Sequence, residues 1–138
     1  MNGNAKLLSL NQNFSTSATA TTAALTYERK AKETLHYLND YLDSLPDLVD
    51  CDENYDVDYS AGVLSVCISP TIGTYVINMQ TPSRQIWLSS PISGPKRYDY
   101  LNGRWTYYKD GVTLDTLLTA EFRQIFNCDK ITFEINLS

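Results

Sequence analysis

Six short runs, each alternating apolar and polar residues, lie between Tyr55 and Tyr108, and the connections between them are only a few residues long. This pattern constrains the fold more than any other feature of the chain. Successive side chains of a strand point to opposite faces, so a period of two marks a half-buried strand. The runs cover residues 55–60, 63–69, 74–80, 85–90, 96–100 and 104–108. A parallel crossover needs about a dozen residues, so connections this short join neighbours in an antiparallel meander. Asn102-Gly103, between two aromatic runs, is a hairpin signal, because both residue types tolerate the positive φ of a type I′ turn.

A helical period flanks the runs on each side. Ala31, Leu35, Leu38, Leu42 and Leu45 recur three and four apart, which predicts one apolar face over residues 25–45. Pro46 disfavours helical geometry at Leu45 and so marks the end of that helix. A second helix follows Asp110-Gly111, with Leu114, Leu117, Leu118, Phe122 and Ile125 on one face, Thr113 as N-cap and Asp115 in the first turn. Helix, six strands, helix predicts an α+β two-layer sandwich: two helices packed on one face of an antiparallel sheet of about six strands. Residues 130–138 alternate too, but no partner for them can be read from the sequence.

The chain has 138 residues, 43% of them apolar, enough for one domain and too few for two. Residues 1–24 are rich in Ser, Thr, Asn and Ala and hold no acid. They read as a leader ahead of a domain over 25–138, either an organelle import segment or a plain flexible terminus. Lys6 is their only positive charge, fewer than import segments usually carry. The net charge of −5 argues against a nucleic-acid partner, which would call for a basic patch. No apolar run approaches the ~20 residues of a membrane helix. Cys51, Cys67 and Cys128 are scattered, and one histidine, His36, cannot complete a tetrahedral zinc site with them. Cys67 reads as a small buried strand residue.

Charge is unevenly distributed. Nine acids and no Lys or Arg lie between Lys32 and Arg84, whereas Arg84–Lys109 holds five basic residues and one acid. An acidic helix face is most simply solvated surface. It also offers hard oxygen ligands to a hard cation or to ferrous iron, as a shallow, hydrated and unselective site. On the sheet, alternation turns Tyr75, Ile77, Met79, Ile86 and Leu88 toward the helices and Asn78, Gln80, Gln85 and Trp87 outward. Lys96 and Arg97 lie on the next strand. An outward Trp among amides beside Arg reads as an interaction surface, or as a cover for a neighbouring strand. No Ser/His/Asp or Cys/His set and no phosphate-cradling glycine loop is present.

The run GTYVINMQTPSRQIWLSSPISGPKRYDY, Gly73–Tyr100, closely resembles the sheet region of the frataxin family. Tyr27-Glu28, Asp56-Val57, Gly62-Val63-Leu64-Ser65-Val66 and Asp110-Gly111-Val112-Thr113-Leu114 extend the likeness over about residues 25–126, in the eukaryotic, mitochondrial-type pattern. The resemblance implies the fold already derived. It also implies weak binding of iron (Fe²⁺ or Fe³⁺) along an acidic ridge and a part in iron–sulfur cluster assembly. There the protein would activate a complex of cysteine desulfurase and scaffold protein in the mitochondrial matrix or a related organelle. Ferroxidase activity, and iron storage or delivery for cluster and haem synthesis, are the alternative roles it carries. A monomer is expected, with iron-dependent oligomers as the variant state.

Carried over residue by residue, the ridge is Glu33, Asp40, Asp43, Asp47, Glu53 and Asp56, and the partner surface is Asn78, Gln80, Gln85, Trp87 and Arg97. His36, Ser44 and Asn54 stand where relatives often carry acids, and Lys32 adds a positive charge, so a lower metal capacity is expected. Met79 stands where animal relatives usually have Lys.

Overall fold

The computed structural model describes residues 3–137, with side chains from Thr22 onward. Residues 1–2 of the expected leader and residue 138 of the tail lie outside it. In chain order the elements are helix α1 (Gly3–Ser44), a 3-10 turn (Leu45–Asp47), strands β1 (Asp56–Ser60), β2 (Val63–Ser69), β3 (Gly73–Gln80), β4 (Gln85–Ser90), β5 (Gly94–Leu101) and β6 (Arg104–Tyr107), and helix α2 (Leu114–Phe126). All six strands form one sheet in sequence order, each antiparallel to the next, which is the meander the short connections require. Asn102 (φ 51°) and Gly103 (φ 80°) both take positive φ, as a type I′ turn demands.

The α+β two-layer architecture follows from where the apolar residues fall. From α1, Tyr27, Ala31, Leu35, Leu38 and Leu42 enter the core, continued by Leu45. Leu64, Val66, Ile68, Tyr75, Ile77, Ile86, Leu88, Tyr98 and Trp105 meet them from the inner face of the sheet. α2 adds Leu114, Leu118 and Phe122, while Leu117 and Ile125 are only half-buried. α1 stops at Ser44, just before the residue that Pro46 restricts. Its start differs from the sequence expectation near Leu25, because the Ser/Thr/Asn-rich stretch holds no apolar repeat that would mark a helix.

Two expectations need correction. Cys67 is half-buried rather than buried, because β2 sends Val66 and Ile68 inward and leaves Cys67 on the outer face opposite Asp56. The tail, for which no partner could be read, fills the groove between the helices. Ile131 and Phe133 are buried, and the backbone N–H groups of Thr132 and Glu134 donate to the hydroxyls of Tyr41 and Tyr37 on α1. On the α2 side, Phe133 N–H donates to Thr119 Oγ1, and Arg123 Nε donates to the Ile131 carbonyl at 2.6 Å. Side chains of the helices thus supply the tail's hydrogen bonds in place of a strand partner.

Candidate functional site

The outer face of the sheet is built from two rows. In the first, Asn78 on β3 is registered with Trp87 on β4, and Trp87 with Arg97 on β5. In the second, Gln80 is registered with Gln85, and Gln85 with Asp99. The five residues expected to form a partner surface are therefore brought together by ladder pairing alone. Gln85 links the rows: its Oε1 accepts from Trp87 Nε1 at 2.9 Å, and its Nε2 donates to Asp99 Oδ1 at 3.0 Å. Arg97 lies over the indole, 4.7 Å from its centroid. The ring is thus held in place while half-exposed on the outer face, as an anchor for a partner requires. Trp87 belongs neither to the core nor to the half-buried residues packed on it.

Lys96 departs from the expected pairing with Arg97. Alternation puts it on the opposite face, registered with Leu88, where its ammonium donates to the Ser93 hydroxyl at 2.7 Å and to the Ser93 carbonyl. Met79 is half-buried at the end of β3, a partial match to the inward position expected of it.

Two buried features that sequence reasoning missed brace this face. The Tyr27 hydroxyl donates to the Gln85 carbonyl at 2.7 Å and accepts from the Gln80 N–H at 3.0 Å, tying α1 to both strands at the β3–β4 turn. Burial raises the Tyr27 phenol above its ordinary pKa. On α2, Glu121 is buried and its carboxylate accepts from the hydroxyls of Tyr75, Ser90 and Ser93. It fixes the β4–β5 turn from below. Glu121 lies seven residues after Leu114 and three after Leu118, which puts a carboxylate on the apolar face of α2 and could have flagged it as buried; the contact with Tyr75, 46 residues away in sequence, reveals its role.

The six acids expected to form a ridge come from consecutive elements of the chain. Glu33, Asp40 and Asp43 are on α1, Asp47 on the 3-10 turn, Glu53 in the loop and Asp56 at the start of β1. Asp40, Asp43, Asp47, Glu53 and Asp56 are exposed; Glu33 is half-buried and ion-paired with Arg29 at 3.2 Å. The loop is shaped by Asp52, whose Oδ1 accepts from Asn54 N–H at 2.8 Å. Below it, the Tyr55 hydroxyl donates to the Leu42 carbonyl at 2.6 Å. His36 is exposed, edge-on to Tyr59 at 5.4 Å between centroids. Among the described residues, no three or more His, Cys, Asp or Glu side chains are grouped to hold a metal ion. The donors are hard and solvated, an arrangement fit for loosely held, hydrated cations and unfit for a closed cage.

Residues 20–128 match the model of the family described as Frataxin-like domain. The chain belongs to the frataxin family. It is 53% identical over 108 residues to the mitochondrial frataxin of Caenorhabditis elegans, spanning 78% of this chain and 79% of that one. It is 46% identical over 112 residues to the mitochondrial frataxin homologue of Drosophila melanogaster, spanning 78% of this chain and 59% of the fly protein. Relatives from yeasts, Dictyostelium discoideum and Arabidopsis thaliana are likewise named mitochondrial, so this chain is a frataxin of the mitochondrial type. A trimeric frataxin from Saccharomyces cerevisiae, solved in complex with ferrous iron, superposes with a TM-score of 0.64 at 43% identity, covering 72% of this chain and 87% of that one. The fold expected from the sequence is thereby the fold of the family.

Proposed function

We propose that this frataxin acts as a non-catalytic activator of a cysteine desulfurase–scaffold complex in the mitochondrial matrix. It would dock through the outer sheet face and bind iron weakly along the ridge. The observation that carries this reading is the row Asn78–Trp87–Arg97. The core is complete without Trp87, and Trp and Arg are both enriched among the residues that dominate protein–protein binding energy. The amides of Asn78, Gln80 and Gln85 set the register of the partner, while the exposed carboxylates act at longer range on a basic surface. Stimulation of a purified desulfurase–scaffold complex by wild type and by Trp87→Ala tests the reading. Full stimulation by a folded Trp87→Ala protein would overturn it.

Iron is the cargo of the ridge, held by exposed oxygens that exchange readily with water. A second reading, in which the ridge oxidises, stores or delivers iron, draws support from the ferrous complex of the yeast relative. Carboxylates favour Fe³⁺ over Fe²⁺ because the harder ion gains more from anionic oxygen. Oxygen-dependent Fe²⁺ oxidation, compared between wild type and an Asp40/Asp43/Asp47→Asn triple variant, separates the two: equal rates remove the ridge from any ferroxidase account. The trimeric state of the yeast relative supports an oligomeric form; we take that assembly to depend on iron, which light scattering with and without Fe²⁺ would test. Residues 1–24 would serve import, with the mature protein starting within residues 15–26. Organelle-derived protein that still begins at Met1 would defeat that claim.

A further inference from the structure

β6 is shorter than the strand it pairs with, and a cleft opens where it stops. Register runs from Tyr98 opposite Tyr107 to Leu101 opposite Arg104, so residues 94–97 of β5 have no strand beside them on that side. The chain turns away at Tyr107, held by Tyr107 N–H to the Val112 carbonyl at 3.0 Å and Gly111 N–H to the Tyr107 carbonyl at 2.8 Å. The splay leaves a cleft of about 350 Å³ lined by Pro95, Lys96, Arg97, Tyr107, Tyr108 and Lys109. Three of its six lining residues are cationic, in a chain of net charge −5. Among the described residues none of the three is ion-paired. Lys96 spends two donors on Ser93, and Arg97 rests on Trp87, yet both keep their charge. The nearby Asp110 carboxylate is turned to the Val112 N–H at 2.9 Å. Tyr108 is 68% exposed, packed edge-on to Tyr107 with ring centroids 5.7 Å apart, and so offers a free aromatic surface at the rim.

We propose that this cleft binds a nucleotide, with its phosphates on Lys96, Arg97 and Lys109 and its base against Tyr108. Lys96 and Arg97 leave adjacent positions of β5 toward opposite faces and Lys109 follows the end of β6, yet all three line the cleft and so can share the charge of a polyphosphate. An exposed ring beside them suits a planar base, since every base has a face to stack. The volume falls in the range of small-ligand sites. The cleft shares Arg97 with the Trp87 row, but its two test positions, Tyr108 and Lys109, lie outside that row, so their variants separate this site from partner docking.

The test is titration of ¹⁵N-labelled full-length protein with ATP and, separately, with inorganic tripolyphosphate, both in EDTA so that no metal bridges ligand and ridge. Saturable shifts should centre on the amides of residues 94–97 and 107–111. Lys109→Ala should weaken both ligands about tenfold, and Lys109→Arg should retain binding. Tyr108→Ala should weaken ATP roughly fivefold or more while sparing tripolyphosphate. Absence of saturable shifts there, or shifts centred on Arg104 and Arg123, would overturn the site. Equal affinity for both ligands, with Tyr108→Ala neutral, would overturn its assignment to a nucleotide.

Discussion

The Arg97 guanidinium lies over the Trp87 indole, 4.7 Å from the ring centroid, across the β4–β5 ladder. Such a contact at a solvated site contributes about 0.5–1 kcal/mol, so its loss should hardly disturb the fold. Trp87→Ala is therefore expected to lower unfolding free energy by no more than ~1 kcal/mol while weakening the desulfurase–scaffold complex by at least ~2 kcal/mol. Denaturant melts alongside a binding isotherm check both numbers.

The tail makes a contrasting prediction. Ile131 is 0% and Phe133 3% exposed, both between the helices. Phe133→Ala should destabilise by about 3–5 kcal/mol and Ile131→Ala by about 2–5 kcal/mol, through lost burial and the cavity left behind. Binding at the outer sheet face, measured well below the lowered melting temperature, should not change. A melting temperature equal to wild type would refute the packing.

Alkaline pH should unfold the domain. Burial raises the phenols of Tyr55, Tyr75 and Tyr98 well above the ordinary value of 10.0, and for Tyr75 the bond to Glu121 adds to the effect. The unfolded chain releases these protons near 10.0 while the folded chain keeps them, so their stabilisation is intact below that pH and is lost progressively from there as pH rises toward the raised folded values. Each group steepens the loss by up to about 1.4 kcal/mol per pH unit. Urea midpoints measured from neutral to alkaline pH should hold and then fall.

Tyrosine-to-phenylalanine variants divide those contributions. The Tyr98 hydroxyl is buried with no hydrogen-bond partner among the described residues, whereas that of Tyr75 donates to Glu121 at 2.7 Å. Tyr98→Phe should be neutral or stabilising by about 1 kcal/mol, and Tyr75→Phe should cost about 1–2 kcal/mol. Both should flatten the alkaline loss. Equal destabilisation by the two would contradict the assigned bonding.

Asp40, Asp43 and Asp47 are exposed, so Asn at all three should change stability only by tenths of a kcal/mol per site. The expected effects are a slower association with the desulfurase complex, a weaker dependence on ionic strength and reduced iron binding. Stopped-flow association at two salt concentrations provides the measurement.

The meander, its turns and the two helices were legible in the residues because each depends on local rules: alternation, Asn102-Gly103, and the three-and-four spacing from Ala31 to Leu45. The outer-face row was legible for the same reason, since alternation along β3 and β4 already puts Asn78 and Trp87 on one side. Alternation along β5 also sends Lys96 to the face opposite Arg97, but what one strand's alternation cannot state is register, and register is what seats Arg97 on Trp87. Glu121 carried a faint signal, a carboxylate at a position that the spacing from Leu114 and Leu118 puts on the apolar face of α2, but its partners Tyr75, Ser90 and Ser93 converge on it only from the folded sheet. The tail could not be read at all. Its partners, Tyr37, Tyr41, Thr119 and Arg123, belong to two helices that become neighbours only once the core has closed, and a hydrogen bond between residues 97 apart leaves no periodicity in a sequence.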